Sequence, residues 1–197
     1  MKLPVPTYPP VFTKPADALA APFEPIEIHP DAQSLLDYEG ELTVIIGRDA
    51  KNVSRNSALV YVLGYTAGND VSARNFQLPE ASGGQFCCAK LFDKFASIGH
   101  TIVSEVYIPD PQAFNLITSV NGEVKQETST STSDMIWEFR QIISHLSRGA
   151  TLRKGTLIMT GTPSRVGFFH KEFLKNGDIV EVELEGLAKV RNEMKHV

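Results

Sequence analysis

Eight of the twelve prolines in this 197-residue chain lie within its first 30 positions. Pro4, Pro6, Pro9, Pro10, Pro15, Pro22, Pro25 and Pro30 each fix φ and remove a backbone donor. Neither a helix nor the interior of a sheet tolerates that density. Residues 1–30 are therefore predicted to run as an extended arm that crosses the body as irregular chain. Val11, Phe12, Phe23, Ile26 and Ile28 give the arm apolar anchors, which predicts that it packs on the body. With 42% hydrophobic and 21% charged residues, the body has enough apolar surface for one domain.

Short β-branched runs dominate the rest of the chain. Leu42–Ile46, closed by Gly47, reads as a strand, as do Thr156–Thr160 and Ile179–Leu184, the last introduced by the turn Asn176-Gly177-Asp178. Leu116–Val120, Asn121-Gly122 and Glu123–Lys125 form a hairpin signal, because Asn-Gly accepts the positive φ of a type I′ turn. Ser54 is placed to cap a helix reaching Tyr61. Ile136, Phe139, Ile142, Ile143 and Leu146 share one face of a helix predicted over 133–147, with Ser133 as cap. Many short strands beside one good helix predict a β-rich α+β fold.

A net charge of -4 without any basic run argues against a nucleic-acid or polybasic membrane surface. No segment reaches 18 apolar residues, and the first residues lack the basic-then-apolar order of a signal peptide. Cys87 and Cys88 are adjacent, a poor geometry for a disulfide, and no further cysteine completes a zinc site. They are expected to be reduced thiols in a cytoplasmic protein.

Three stretches place polar groups against apolar strands. In Asp37-Tyr38-Glu39-Gly40-Glu41 an extended backbone aims Glu39 and Glu41 to one side. Such a pair repels unless a cation, a shared proton or open water intervenes, and a solvated acidic edge satisfies the same pattern. In Gly64–Gln77, Asp70, Arg74 and Gln77 are spaced by four and three. They would stack if the chain turned helical after Asp70, and taken alone the pattern favours Asp70 as an ordinary cap with Arg74 in an i,i+4 ion pair. Thr160–Gly167 offers hydroxyls and flexible backbone after a strand, without the Walker pattern.

Taken together, the blocks DYEGELTVIIG, GYTAGNDVSARNFQ, GQFCCAKLFDKFASIGH, VNGEVKQ, TSDMIWEFRQIISHLS, TLRKGTLIMTGTPSRVG and LKNGDIVEVELEGL resemble the catalytic C-terminal domain of the fumarylacetoacetate hydrolase family. The match runs from Phe12 to Asn192 in the family's order. The resemblance implies a mixed β-roll or sandwich with few helices around a metal cleft, and a homodimer. It implies metal ligation by Glu39, Glu41 and Asp70, with Mg²⁺ or Mn²⁺ suited to an all-carboxylate shell. Lys90, Arg74 and Gln77 match residues that serve catalysis and line substrate oxygens, and Thr162 matches the hydroxyl that receives a substrate carboxylate. The implied activity is cleavage of a C–C bond in a small 2-oxo acid through a pyruvate-type enolate, acylpyruvate hydrolysis first. Oxaloacetate-type decarboxylation or tautomerisation is the alternative, and a non-catalytic binding or assembly subunit is the remaining one. Relatives carry a His and a Glu ahead of the proline-rich segment, at positions that would precede residue 1 here. The general base is therefore left open, with His100 and His170 as weak candidates.

Overall fold

The computed structural model describes residues 5–108, 110–129 and 135–197. Two mixed sheets carry the fold. The first has the order β1 (Leu19–Ala20), β8 (Ala96–Ile98), β6 (Val62–Asp70), β4 (Gly40–Ile46), β13 (Leu157–Met159), with β9 (Val103–Ser104) also paired to β6. The second runs β11 (Glu123–Ser129), β10 (Asn115–Val120), β14 (Ile179–Leu184), β15 (Ala188–His196), β2 (Ile26–Ile28). Two small ladders join β3 (Leu36–Asp37) to β7 (Ser72–Ala73) and β5 (Ala50–Lys51) to β12 (Thr151–Leu152). The helices are short: α1 (Pro79–Ser82), α2 (Cys87–Lys90), α3 (Phe139–Leu146) and α4 (Gly167–His170). The expected β-rich α+β class is the observed one.

Local sequence explains each piece. In β14, Val180, Val182 and Leu184 point inward while Glu181 and Glu183 alternate outward, the period-two pattern of a sheet with one buried face. Strand β4 is buried along its whole length because β6 and β13 flank it. Asn121 and Gly122 turn the β10–β11 hairpin at φ 52° and 82°, the type I′ turn that the Asn-Gly pair predicts.

Helix α3 starts later than the apolar spacing suggests. Met135–Trp137 are not helical, and Glu138 rather than Ser133 caps the helix, in a reciprocal box with Gln141. Ser133 lies outside the described residues. The cause is burial: Phe139, Ile142 and Ile143 face the core, whereas Ile136 is 64% exposed. Arg55–Tyr61 winds as a 3₁₀ helix, with the Ser54 hydroxyl accepting from the Ser57 amide as its spacing implies. After Asp70 the chain does not become an α-helix. It pairs β7 with β3 and then makes one 3₁₀ turn, Arg74–Phe76.

The proline-rich arm is not irregular throughout but enters both sheets, because Leu19–Ala20 and Ile26–Ile28 fall between its prolines and keep their amide donors. β1 lies parallel to β8 in one, and β2 lies parallel to β15 in the other. Ile26 and Ile28 are fully buried, worth about 2 kcal/mol each. Buried Asn192 on β15 donates to the carbonyls of Ala21 and Glu24 at 3.0 and 2.7 Å and accepts from the Ser97 hydroxyl at 2.6 Å. Among the described residues no helix is long and apolar enough to cross a membrane.

Candidate active site

Strand pairing brings the distant acids together. Antiparallel β4 and β6 set Gly40 opposite Asn69 and Glu41 opposite Gly68. The Asp70 amide donates to the Glu39 carbonyl at 2.8 Å, and the Asn69 side chain accepts from the Glu39 amide at 3.1 Å. Glu39, Glu41 and Asp70 are all buried, and one carboxylate oxygen from each lies within 4.8 Å of the others. Gly40 between the two glutamates has its own reason. A Cβ there would collide with the Thr118 hydroxyl and sit 3.2 Å from Val182, so glycine lets the second sheet close against β4.

Three cations reach this acidic floor. The Lys90 ammonium, 1% exposed, donates to Glu39 Oε2 at 2.6 Å and to Asp70 Oδ2 at 2.7 Å. Arg74 spends all three nitrogens: Nη2 pairs with Glu39 at 2.7 Å, Nε donates to Asp37 at 2.8 Å and Nη1 to Gln77 Oε1 at 2.8 Å. Lys14 extends from the arm to within 2.6 Å of Asp70 Oδ1 and donates to the carbonyls of Lys90 and Phe95 at 2.6 and 2.9 Å. The Phe12 ring lies 5.0 Å from the Lys90 ammonium.

The electrostatic result is uneven. Burial works to raise the Glu39 pKa, but Lys90 and Arg74 outweigh it and hold the carboxyl below its usual value. Burial also opposes a charged Lys90, and the Glu39 and Asp70 charges overcome it, so the ammonium is held above the usual lysine value. Burial is the stronger influence on Lys14, which is lowered despite Asp70. Glu41 differs. Its Oε2 accepts the Gly161 amide at 2.7 Å, and among the described residues no cation forms an ion pair with it. Burial, and then the Asp70 and Glu39 charges, push this carboxyl well above its usual value. A buried carboxylate facing two others is costly unless a cation joins them. The donor set, three carboxylates in reach of one point, fits a hard divalent ion.

The 160–167 loop forms a wall. Gly161 at φ 101° turns its amide to Glu41. Thr162 Oγ1 accepts from buried Gln126, which also donates to the Pro163 carbonyl at 3.0 Å. Asp37 ties the loop's end to the floor, accepting from the Gly167 and Phe168 amides at 2.8 and 3.0 Å as well as from Arg74. Every residue expected at the site lies in this region: Glu39, Glu41, Asp70, Lys90, Arg74 and Gln77 around the floor, Thr162 on the wall. Asp37, Lys14, Phe12 and Gln126 are the additions. Asp37 lies two residues ahead of the paired glutamates, so the alternation that pairs them also marks it, whereas Lys14 lies inside the arm and no spacing marks it. His100 is exposed, with Nδ1 3.3 Å from the Lys189 carbonyl and its ring against Phe23, and His170 ends α4 at the surface. The cluster of possible metal-ligand atoms found among the described residues includes neither. Cys87 and Cys88 are free thiols.

The family model described as fumarylacetoacetate (FAA) hydrolase C-terminal matches residues 1–195. The chain belongs to the fumarylacetoacetate hydrolase family. It is 38% identical over 194 residues to a Bos taurus protein named oxaloacetate tautomerase FAHD2A, mitochondrial, covering 98% of this chain. It spans 60% of that relative's length. Among solved structures it resembles a 5-carboxymethyl-2-hydroxymuconate delta-isomerase from Mycobacterium smegmatis, with a TM-score of 0.87 and 36% identity over 100% of this chain and 73% of that one. A fumarylacetoacetate hydrolase from Exiguobacterium antarcticum gives a TM-score of 0.87 and 39% identity over 94% of this chain and 66% of that one.

Proposed function

We propose that this protein is an enzyme acting on a small 2-oxo acid through a pyruvate-type enolate, with Mg²⁺ or Mn²⁺ held by Glu39, Glu41 and Asp70. The observation that carries the reading is Glu41, a buried carboxylate in a three-acid cluster that has no protein cation of its own among the described residues. A bound divalent cation would act as a Lewis acid toward the keto oxygen of the substrate. The chain's own groups do the rest. Lys90, held protonated by two carboxylates, serves as a hydrogen-bond donor to a growing enolate oxygen and not as a base. Arg74 donates to Gln77 Oε1, which leaves the Gln77 amide nitrogen to serve as a second donor. Thr162 already accepts from Gln126, so its hydroxyl proton is available to a substrate carboxylate. Phe12 and the buried walls around Lys90 exclude water, which strengthens these interactions.

Enol–keto conversion of an oxaloacetate-type diacid is supported by the names of the bovine relative and the mycobacterial isomerase, and decarboxylation of such a diacid would pass through the same enolate. C–C hydrolysis of an acylpyruvate, such as a fumarylpyruvate or acetylpyruvate analogue, is a second reading, supported by likeness to the Exiguobacterium hydrolase. Both need the same enolate. The division into an arm, 1–30, and a catalytic domain, 31–197, is supported by the arm's edge positions in the two sheets. A homodimer is the assembly implied by the family resemblance, and free thiols suit a reducing compartment such as the cytoplasm.

The test is turnover of oxaloacetate enol and of an acylpyruvate panel with Mg²⁺ or Mn²⁺, alongside calorimetric metal binding. Lys90→Met should reduce turnover by about 10²-fold or more, and Glu41→Gln should remove metal binding. Unchanged metal affinity in Glu41→Gln would overturn the metal assignment. Turnover restricted to acylpyruvates, with pyruvate released, would place hydrolysis first.

A further inference from the structure

A second concave surface lies apart from the acidic floor, between the arm and α3. It encloses about 360 Å³, within the range of small-molecule sites. Its lining includes Tyr8, Arg55, Trp137, His145 and Arg148 and no Asp or Glu among the described residues. Tyr8 stacks on His145 with centroids 5.3 Å apart and planes 20° apart. The Arg148 guanidinium lies 5.2 Å over the Tyr8 ring, with Nη2 2.6 Å from His145 Nδ1. Arginine can only donate, so His145 Nδ1 accepts and its other ring nitrogen carries the hydrogen. Arg55 has no carboxylate partner among the described residues. Glu138, the acid nearest in sequence to Trp137, is turned to cap α3. In a chain of net charge -4, a hollow lined by two arginines and, among the described residues, no carboxylate is a local reversal of sign.

We propose that this cleft binds a small oxyanion, carboxylate or phosphate, attached to a flat apolar group, and that its occupant holds the arm down. The guanidiniums supply forked donors for the oxyanion. Tyr8 and Trp137 supply aromatic walls for the flat group. The coupling arises from the arm's path. Four residues after Tyr8 the same strand of chain lays Phe12 over Lys90, and two later it sets Lys14 on Asp70. Pro9 and Pro10 stiffen the span between them. A ligand that touches Tyr8 only when the arm is docked must favour the docked arm, by its differential affinity for the two states.

Trp137 is the chain's single tryptophan, so its fluorescence reports on this cleft. Phenyl phosphate, phenylacetate and inorganic phosphate are the probes, titrated into the full chain. Phenyl phosphate should give a saturable change, tighter than inorganic phosphate, and comparison with phenylacetate assigns the preferred oxyanion. Arg148→Ala should weaken binding by about tenfold and Arg55→Ala by several-fold, on the scale of a charge-assisted bond. Arg55→Ala should leave turnover unchanged. A linear, unsaturable response, or equal affinity in wild type and both variants, overturns the site. Hydrogen exchange then tests the coupling: saturating phenyl phosphate should raise amide protection at Phe12–Lys14, which the cleft does not touch. Unchanged protection there, with binding intact, overturns the claim that the occupant restrains the arm.

Discussion

The floor of the active site and the outer surface of the protein contain ion pairs of nearly the same length with different consequences. Lys90 meets Glu39 at 2.6 Å and Arg153 meets Asp49 at 2.6 Å. The first pair is buried, whereas the side chains of the second are 74% and 51% exposed. In water the gain from pairing is small because both ions were already solvated and salt screens them. In the interior an unpaired charge has no such alternative, so each partner depends on the other. Burial, not distance, decides which contacts hold the site.

Breaking the comparison at its strongest point means Asp37→Ala. The buried Arg74 would lose one of its two carboxylates and the Gly167 and Phe168 amides would lose their acceptor. The expected loss is about 3–5 kcal/mol, read as a fall of roughly 10 °C in melting temperature. A fall of only a degree or two would show that Glu39 alone satisfies Arg74. Next is Gly40→Ala, whose new methyl would collide with Thr118 at a cost of about 1–3 kcal/mol. Thr118→Ala in the same chain should recover part of that loss, and a double-mutant cycle measures how much. An additive cycle would mean the two sheets do not meet there.

Glu41→Gln should act with the opposite sign. It keeps an acceptor for the Gly161 amide but removes the buried charge, so the metal-free protein should gain about 1–2 kcal/mol by denaturant unfolding while losing divalent-cation binding. A destabilised Glu41→Gln would show that the carboxylate is already balanced. The smallest effect belongs to the surface: Arg153→Ala should move the melting temperature by less than about 2 °C, and by less again in high salt. A fall as large as that of Asp37→Ala would remove the distinction between the two regions.

Several elements are legible in the amino-acid sequence. Asn121-Gly122 locates its turn because backbone sterics at positive φ act within two residues. Ile179–Leu184 matches its strand because alternation is a local property. The α3 boundary is not legible, since Ile136 continues the apolar period and only packing leaves it in solvent. Asp70 and Arg74 likewise sit at helical spacing, yet the chain between them pairs as β7, and each finds a partner elsewhere. The family resemblance named seven site residues, but not the groups that hold them.

What the amino-acid order settled by itself was therefore the class of fold and the turns at Asn121-Gly122 and Asn176-Gly177. Such features depend on neighbours along the chain. Only the tertiary structure decided that Lys14 crosses from the arm to Asp70, that Asp37 joins Arg74 to a loop 130 residues further on, and that Glu41 is buried among acids with no ion pair among the described residues. Those outcomes depend on which strands lie side by side and on how completely water is removed from the space between them, and neither quantity is carried by any short stretch of sequence.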